Sequence, residues 1–133
     1  MNDRDLMFLP AHRQRQMIVN GEISSVEMTE ASLRRIAQLE PQLHAFITLD
    51  EEGALKSAKE ADARLASRSE PGVLHGVPIV VKDLEVTKGL RTTLGSSFFK
   101  DWIPDYDSVA VERLRATGAV ILGKTNTPEF GNR

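Results

Sequence analysis

Lys82 is the residue whose type and surroundings best suit acid–base chemistry. It directly follows the apolar run 77–81, which reads Val-Pro-Ile-Val-Val, and Asp83 comes next. Apolar surroundings disfavour a charged ammonium and can lower the pKa of a lysine by several units, so that the neutral amine accepts a proton. A lysine in this position can therefore act as a base, and Asp83 beside it is expected to be a hydrogen-bonding anchor or charge partner. By spacing alone, Lys82 also fits a strand end that emerges into water.

A second lysine lies in a string that matches a nucleotide-binding motif. Residues 118–125 read Gly-Ala-Val-Ile-Leu-Gly-Lys-Thr, the pattern of a P-loop. A phosphate cradle needs a strand before the loop and a helix amino terminus after it. Here a predicted helix precedes the string, the spacer is typical of a strand, and Asn126-Thr127-Pro128 follows. We therefore interpret Lys124 as a solvated or ion-paired residue at a strand end, and the following Asn and Thr as turn caps.

The chain offers few residues for metal or redox chemistry. It has no cysteine, which excludes disulfides, thiolate catalysis and thiolate metal sites. Its three histidines, His12, His44 and His75, are far apart in sequence, and no HExxH pair is present. We predict that each histidine is a surface or turn residue. We expect no metal site and no cofactor.

Composition favours one small globular domain without a strong electrostatic field. Hydrophobic residues make up 41% of the 133 residues and charged residues 27%, which is enough for one modest core. The net charge of -2 gives no long-range attraction to nucleic acid or to an anionic membrane. Residues 1–5 lack the apolar core of a secretory signal, and no apolar run approaches a membrane span. We expect a cytoplasmic protein with no internal domain boundary, no nucleic-acid partner and no membrane partner.

Apolar periodicity predicts three helices in the amino-terminal half. They cover residues 13–19, 24–40 and about 51–67. Ser24 opens the second helix, because its spacing from Glu27 is that of a capping box, and Pro41 lies just beyond the end. Asp50 is the expected cap of the third helix. These elements would form the layer against which a sheet packs.

Three segments are typical of strands, and they cover residues 44–49, 79–82 and 119–122. The first alternates, with Ala45, Ile47 and Leu49 on one face. The other two are apolar throughout, as in strands buried on both faces. A predicted helix over residues 108–117 separates them and stops at Gly118. The order strand, helix, strand implies parallel pairing with a right-handed crossover, and therefore an α/β fold.

The connection over residues 85–106 fits no regular element. It contains Gly89, Gly95 and Pro104 together with a cluster of hydroxyl side chains. Connections of this length in a compact domain are more often functional or in contact with a partner than idle. The sequence therefore predicts an irregular connection over these residues, with a function or a contact with a partner.

Several blocks of this sequence together resemble one enzyme family. They are residues 74–83 (Leu-His-Gly-Val-Pro-Ile-Val-Val-Lys-Asp), Gly89 with 91–93 and 95–96, the string 118–126, and Pro128-Glu129-Phe130. In this order they resemble the amino-terminal part of an amidase-signature enzyme, and the stretch from Ser24 through the third helix is similar too. The resemblance covers nearly the whole chain. It implies an α/β fold in which helices pack on a partial mixed sheet with a parallel strand–helix–strand unit, and in which residues 1–133 form an incomplete part of one domain.

The resemblance also implies a chemistry. Members of the family hydrolyse or transfer carboxamides through a serine, a second serine in a cis peptide, and a lysine. A neutral lysine can remove the proton of the nucleophilic serine through the bridging hydroxyl. By position in the motif, Lys82 matches the lysine, and Phe130 and Gly131 would border the acyl pocket. The resemblance implies a small-molecule amide substrate and no metal, nucleotide or redox cofactor, and it is compatible with a homo-oligomer.

The chain departs from the family at the nucleophile. Both family serines lie in and after a glycine- and serine-rich stretch that follows the block matching Pro128-Glu129-Phe130, and this sequence ends at Arg133. Ser96 and Ser97 belong to the connecting segment and lack the flanking glycines. We therefore expect the 133 residues alone to be catalytically inactive.

Three hypotheses remain open from the sequence. The first is an amidase whose remainder is absent from this chain. The second is a binding or regulatory domain that keeps the scaffold without the chemistry. The third is a nucleotide-binding module that uses residues 118–125. Within the family, the string Thr127-Pro128-Glu129-Phe130 looks more like the general amidases than like the A subunits of tRNA-dependent amidotransferases, whose corresponding string typically carries Asp before Glu-Phe. The amidotransferase alternative would imply partner subunits and a charged tRNA.

Overall fold

The fold is a small mixed sheet with helices on both faces. A computed structural model describes residues 1–132. In these residues the helices are α1 (Asp3–Met7), α2 (Ala11–Val19), α3 (Ser25–Leu43), α4 (Glu51–Ala66) and α5 (Val109–Ala116). The strands are β1 (Phe46–Leu49), β2 (Pro78–Lys82) and β3 (Val120–Thr125), and short 3-10 helices cover Ser97–Phe99 and Glu129–Gly131. The α/β fold class expected from the sequence is confirmed.

Side-chain caps begin four of the helices, and those at Ser24 and Asp50 are the two that the sequence analysis predicts; the other two are Asn2, before α1, and Ser108. Ser24 Oγ accepts from the N–H of Glu27 at 3.0 Å, and Glu27 Oε2 accepts from the N–H of Ser24 at 2.8 Å, which completes the capping box. Asp50 Oδ1 caps α4 by accepting from the N–H of Gly53 at 3.1 Å. Ser108 caps α5 in the same way. Each cap satisfies backbone donors that have no partner inside the helix.

The end of α3 differs from the prediction. The helix continues through Pro41 and ends at Leu43, with His44 in the left-handed region at φ 47. Proline removes a single intrahelical hydrogen bond, and near a carboxyl end that loss is small. The Glu40 carboxylate then accepts from the backbone N–H groups of Ala45 and Phe46, at 3.1 and 2.9 Å. These bonds turn the chain from α3 into β1.

The sheet has the order β1-β3-β2. β2 pairs with β3 in parallel, as the sequence predicts, and β1 pairs with β3 in an antiparallel arrangement. The central strand β3 is buried from Val120 to Lys124. Val120 and Leu122 pack against α4 on one face, while Ile121 packs with Val111 of α5 on the other. The expectation of a strand buried on both faces is confirmed for β3.

The same expectation is wrong for β2 within residues 1–132. Val81 is buried, but Val80 is 46% exposed and the Lys82 side chain is exposed. β2 lies at one edge of the three-stranded sheet, so its two faces are not covered equally. Val80 borders a groove beside the last turns of α3. In this chain β2 is therefore an apolar strand with one face exposed.

The segment between β2 and α5 is irregular but is held together by hydrogen bonds between its own residues. The N–H of Gly89 donates to Pro104 O at 2.9 Å, and the N–H of Thr92 donates to Trp102 O at 3.0 Å. Arg91 reaches out of the segment and donates to Ile47 O of β1 at 2.7 Å. These bonds fold residues 85–106 back on themselves and fix them against the sheet. No helix among residues 1–132 is long and apolar enough to cross a membrane.

Candidate functional site

Lys82 is the last residue of β2, and its side chain is exposed. It shares an uncovered face of the strand with Val80, two residues earlier. No ion pair involves Lys82 among the described residues. The expected water-poor environment is therefore absent within residues 1–132. The alternative from spacing, a strand end that emerges into water, describes its position in this chain.

Asp83, next to Lys82, is fully buried and heavily bonded. Its carboxylate accepts from the N–H of Thr93, at 3.2 Å to Oδ1 and 3.1 Å to Oδ2, and from the Thr93 hydroxyl. The N–H of Asp83 donates to Thr125 O on β3 at 3.0 Å. Asp83 therefore anchors the end of β2 both to the sheet and to the irregular segment. This agrees with its expected role as an anchor or charge partner.

Lys124 is the charge partner of Asp83. Its side chain is fully buried, and its Nζ lies 3.4 Å from Asp83 Oδ1. Nζ also donates to Glu85 O at 2.6 Å and to Thr92 Oγ1 at 2.8 Å. The prediction of an ion-paired residue is confirmed, and the alternative of a solvated one is wrong. The reason is that residues 83–93 fold over the end of β3 and exclude water from it.

Burial and charge act on Lys124 in opposite directions. Burial lowers the pKa of Lys124 because it penalises the charged ammonium. The charge of Asp83, its hydrogen bonding and the more distant charge of Glu85 oppose that lowering. The net direction is a lowered pKa. No such lowering is predicted for Lys124 from the sequence.

Phe130 and Gly131 lie in a turn that packs against the segment after Asp83. The N–H of Phe130 donates to Leu94 O at 2.8 Å, and the Phe130 side chain is 49% exposed. Gly131 has φ +74, and a Cβ there would lie 2.9 Å from Leu84 Cδ1. Leu84 is two residues from Lys82, so this turn and the lysine adjoin the same stretch of chain. Their assignment to an acyl pocket stays a prediction.

Ser96 also joins this turn to the segment. Its hydroxyl donates to Glu129 Oε1 at 2.7 Å, and the Ser96 side chain is buried. At Gly95, with φ +71, a Cβ would lie 2.7 Å from Pro128 O, so only glycine permits this close approach. The hydroxyl of Ser96 is thus engaged in holding the 129–131 turn. This agrees with the interpretation of Ser96 as part of the connection.

The P-loop match has the wrong structural context, as the sequence indicates. Gly118 follows α5, and residues 120–125 form β3. No helix follows Thr125 directly, because an extended turn leads to the 3-10 helix at Glu129–Gly131. Lys124 Nζ is enclosed by protein groups and is not aimed at an open phosphate cradle.

His75 is a turn residue, as predicted, but it is buried. Its Nε2 lies 3.1 Å from Ala61 O of α4. Burial lowers the pKa of His75, and the nearby positive charges of Arg64 and Arg15 add to the lowering. His12 and His44 are exposed. Among residues 1–132, no three potential metal-ligating side chains cluster together.

Comparison with known proteins decides the family. The family model named Amidase matches residues 27–133, which is most of the chain. This chain is a member of the amidase family. The resemblance drawn from residues 74–83, 89–96 and 118–130 is thereby confirmed, and so is the fold expected from it.

Sequence relatives of this amidase-family chain include the A subunits of amidotransferases. The chain is 48% identical over 126 residues to the A subunit of glutamyl-tRNA(Gln) amidotransferase from Salinispora tropica, a match that covers 95% of this chain and 26% of the relative. The corresponding protein of Roseiflexus sp. (strain RS-1) is 48% identical over 116 residues, which cover 87% of this chain and 24% of the relative. The chain thus spans about a quarter of the length of these relatives.

Solved structures of amidases share the fold. The peptide amidase of Stenotrophomonas maltophilia superposes with a TM-score of 0.86 at 37% identity, covering 92% of this chain and 26% of that chain. A fatty acid amide hydrolase superposes with a TM-score of 0.89 at 28% identity, covering 96% of this chain and 22% of that chain. The match lies over the helices and mixed sheet described above.

The similar proteins include both of the classes that the sequence analysis contrasts, general amidases and A subunits of amidotransferases. The string Thr127-Pro128-Glu129-Phe130 favours a general amidase, and one similar solved structure is a peptide amidase, whereas the relatives from Salinispora and Roseiflexus are A subunits of an amidotransferase. The preference for a general amidase stays a prediction.

The burial of Lys124 was not expected from the sequence. The signal was present, because Lys124 extends a fully apolar run, residues 119–122, and Asp83 follows the strand expected to pair beside it. Two strands that run parallel bring residues at their carboxyl ends together. A lysine and an aspartate at such ends are candidates for a buried ion pair.

Proposed function

We propose that this amidase-family chain contributes the lysine base of a carboxamide hydrolase. Lys82 is the base, and the two serines of the triad come from protein outside residues 1–133. The observation that supports the proposal best is the position of Lys82: it ends β2 inside the region that the family model matches. The resemblance of residues 74–83 to the family motif is what pairs Lys82 with the family's lysine. Asp83 beside it is rigidly bonded, so the strand end has a defined place.

The uncovered face of β2 is compatible with this proposal. Lys82 and Val80 point to the same exposed side, and further protein over that side would remove both from water. Covering a lysine in this way favours its neutral form, which is the form that a base needs. The exposed amine of this chain would thus become a base only after such covering.

The proposed reaction uses a proton relay. The neutral amine of Lys82 accepts the proton of the bridging serine hydroxyl, which at the same time takes the proton of the nucleophilic serine. The nucleophilic oxygen attacks the amide carbon, and backbone N–H groups near it hold the oxyanion. The relay then returns the proton to the leaving nitrogen, the C–N bond breaks, and water hydrolyses the acyl-serine. No metal or cofactor takes part in this scheme, and the substrate is a small carboxamide.

A fusion protein tests the role of Lys82. This chain would replace the matched quarter of the S. maltophilia peptide amidase, which supplies the remaining sequence. We expect the fusion to release ammonia from a peptide amide, and Lys82→Ala to lower kcat at least about 1000-fold, because the relay loses its base. Lys88→Ala is the matched control, since Lys88 is an exposed lysine on the same segment, and it should leave the rate unchanged.

Two results would overturn the proposal. One is a folded Lys82→Ala fusion that keeps more than about a tenth of the parent rate, measured after circular dichroism has verified the fold. The other is amide hydrolysis by the purified 133-residue chain alone. This result counts if Lys82→Ala abolishes the activity and if no other protein is present in the assay. The second result would place the nucleophile inside residues 1–133.

The sequence relatives favour a second candidate, the A subunit of a tRNA-dependent amidotransferase. The identity of 48% to such proteins over 95% of the chain exceeds the 37% to the peptide amidase. In this case the protein would act with partner subunits, and the amide nitrogen would pass to a tRNA-bound acyl group. The net charge of -2 provides no electrostatic attraction for tRNA within this chain, so partners would have to bind it.

A fusion with the S. tropica relative separates the two candidates. This chain would replace the matched quarter of that relative, and the product would be mixed with the other subunits of the same amidotransferase. The second candidate predicts a stable complex by gel filtration and amidation of tRNA-bound glutamate. A fusion that folds and hydrolyses a free amide but forms no complex would favour the general amidase.

A further inference from the structure

We propose that the buried pair Asp83–Lys124 is the positioning element for Lys82. The inference rests on the proposed role of Lys82 as a base, and it deepens that role. Asp83 and Lys124 do not touch substrate in this scheme. They fix the place and direction of the strand end from which the Lys82 side chain projects.

The pair joins three parts of the chain at one point. Lys124 belongs to β3, and Asp83 directly follows β2. Nζ of Lys124 holds Glu85 O and Thr92 Oγ1, at 2.6 and 2.8 Å. Both ends of the first loop of the irregular segment are therefore bonded to the same ammonium. The loop cannot shift without breaking a buried hydrogen bond to a charged group.

The strand pairing alone leaves this end poorly defined. β2 and β3 pair with a register irregularity between Ile79 and Val81, and the last bonded neighbours are Val81 with Lys124 and Lys82 with Thr125. β2 has no second neighbour among residues 1–132, because it lies at the edge of the sheet. An irregular edge strand tends to slip or twist at its end. The ion pair lies beside this strand end, so it opposes a slippage that would move Lys82.

Thr93 extends the same control to the predicted acyl-pocket turn. Its N–H and hydroxyl both donate to Asp83, and its Oγ1 accepts from the N–H of Gly95. Ser96 then holds Glu129. One continuous series of bonds thus connects Lys124 to the 129–131 turn by way of Asp83. A change at the pair would alter the position of Lys82 relative to Phe130 and Gly131.

A buried charged pair at this place is better explained by a positioning role than by the need to fill the core. Both side chains are 0% exposed, and burying two charges carries a large desolvation penalty that apolar residues of similar volume would avoid. Buried hydrogen-bonded charges fix geometry because their partners must meet at defined distances and directions. An apolar replacement would keep the core filled and lose that definition.

The first test uses the 133-residue chain and does not depend on catalysis. Backbone 15N relaxation would give order parameters for Lys82, Asp83 and Thr93. We expect order parameters of about 0.85, typical of a rigid backbone, in the parent chain, and order parameters below about 0.6 in Lys124→Met. Thr92→Val is the milder variant, since it removes one hydroxyl that accepts from Lys124, and it should lower the same order parameters by less.

A control separates positioning from loss of stability. Met28→Ala removes a fully buried side chain from the cluster formed by α1, α2 and α3, away from the pair. It should lower the melting temperature while the order parameters of Lys82 and Asp83 stay at the parent values. The double variant Asp83→Asn/Lys124→Met removes the unpaired charge, so it should regain part of the melting temperature without regaining order at Lys82.

The peptide amidase fusion provides the catalytic readout. Thr92→Val and the double variant should lower kcat, by up to about 100-fold for the double variant, with KM within twofold of the parent. Met28→Ala should leave both constants unchanged. The inference is wrong if order at Lys82 persists in Lys124→Met, or if kcat follows the melting temperature in all variants. If Lys82→Ala itself leaves kcat unchanged, the proposed function fails, whatever the order parameters show.

Discussion

At the scale of single residues, the chain contains two lysines at the ends of neighbouring strands in opposite environments. Lys124 is fully buried and fully bonded, whereas Lys82 is exposed. Asp83 explains the difference, because it turns toward β3 and takes Lys124 as its partner. The exposed amine is left available to groups outside these residues.

The pair predicts a specific pattern of stability. Asp83→Asn or Lys124→Met alone should lower the free energy of unfolding by about 3–5 kcal/mol, because each leaves a buried charge without its partner. The double variant should lose less than the sum of the two. Urea denaturation of the four proteins gives this double-mutant cycle.

An exposed pair is the matched comparison. Arg34 bonds Asp3 at 2.8 Å, with side chains 55% and 35% exposed, so the loss of this pair in Arg34→Gln should lower the free energy of unfolding far less than loss of the buried pair does. Equal effects at the buried and exposed pairs, or full additivity at the buried one, would contradict the interpretation of Asp83 and Lys124 as a desolvated pair.

At the scale of elements, most of the fold follows from local pattern. The capping box at Ser24 and the cap at Asp50 begin helices where their chemistry predicts, since these bonds involve residues close in sequence. The parallel pairing of β2 and β3 follows from the helix between them. Such features need no knowledge of distant contacts.

The errors at this scale involve tertiary context. The end of α3 depends on Glu40 reaching the chain beyond the helix, which overrides the stop signal of Pro41. The exposure of Val80 and Lys82 depends on which strand lies at the edge of the sheet, and an apolar run does not reveal this. The same holds for the candidate site, where the sequence gives Lys124 as a solvated or ion-paired residue but does not reveal that it is buried against Asp83.

The junction between α4 and the turn before β2 predicts a pH dependence. His75 has a lowered pKa in the folded state because burial penalises its charged form, while its hydrogen bond to Ala61 O acts in the opposite direction. The unfolded chain therefore binds the proton more readily below pH 6.5, the ordinary value. The stability that neutral His75 contributes should be complete above pH 6.5 and should fall as the pH drops through the folded-state pKa.

His75→Gln should remove this part of the pH dependence. The measurement is the free energy of unfolding of the parent and variant between pH 7.5 and 5, in steps, by urea denaturation. His12→Gln is the control, since His12 is exposed on α2, and it should follow the parent curve. A parent curve that is no steeper than that of His75→Gln would show that His75 titrates normally.

At the scale of the whole molecule, apolar side chains remain uncovered in several places. The largest exposed fractions include Phe98 at 88%, Phe8 at 77%, Val73 at 72% and Val109 at 63%. Val80 and Leu43 border a groove of about 430 Å³ between α3 and the sheet. That groove is lined largely by apolar side chains, and an apolar groove of this kind often contacts another protein surface. This favours the amidase that continues beyond these residues over a self-contained regulatory domain, which would cover its core.

That distinction can be measured on the purified chain. We expect strong fluorescence from a hydrophobic dye at temperatures well below the melting transition, together with concentration-dependent self-association in sedimentation, because the uncovered apolar groups are accessible in the folded state. Val80→Thr with Phe98→Ser should lower dye binding severalfold with little change in melting temperature, since both side chains are exposed. Ala58→Ser is the control in the buried core, and it should lower the melting temperature instead. A chain that melts cooperatively, stays monomeric and binds no dye would support the self-contained regulatory domain. This result would contradict the proposed role of Lys82 as the base of a serine triad.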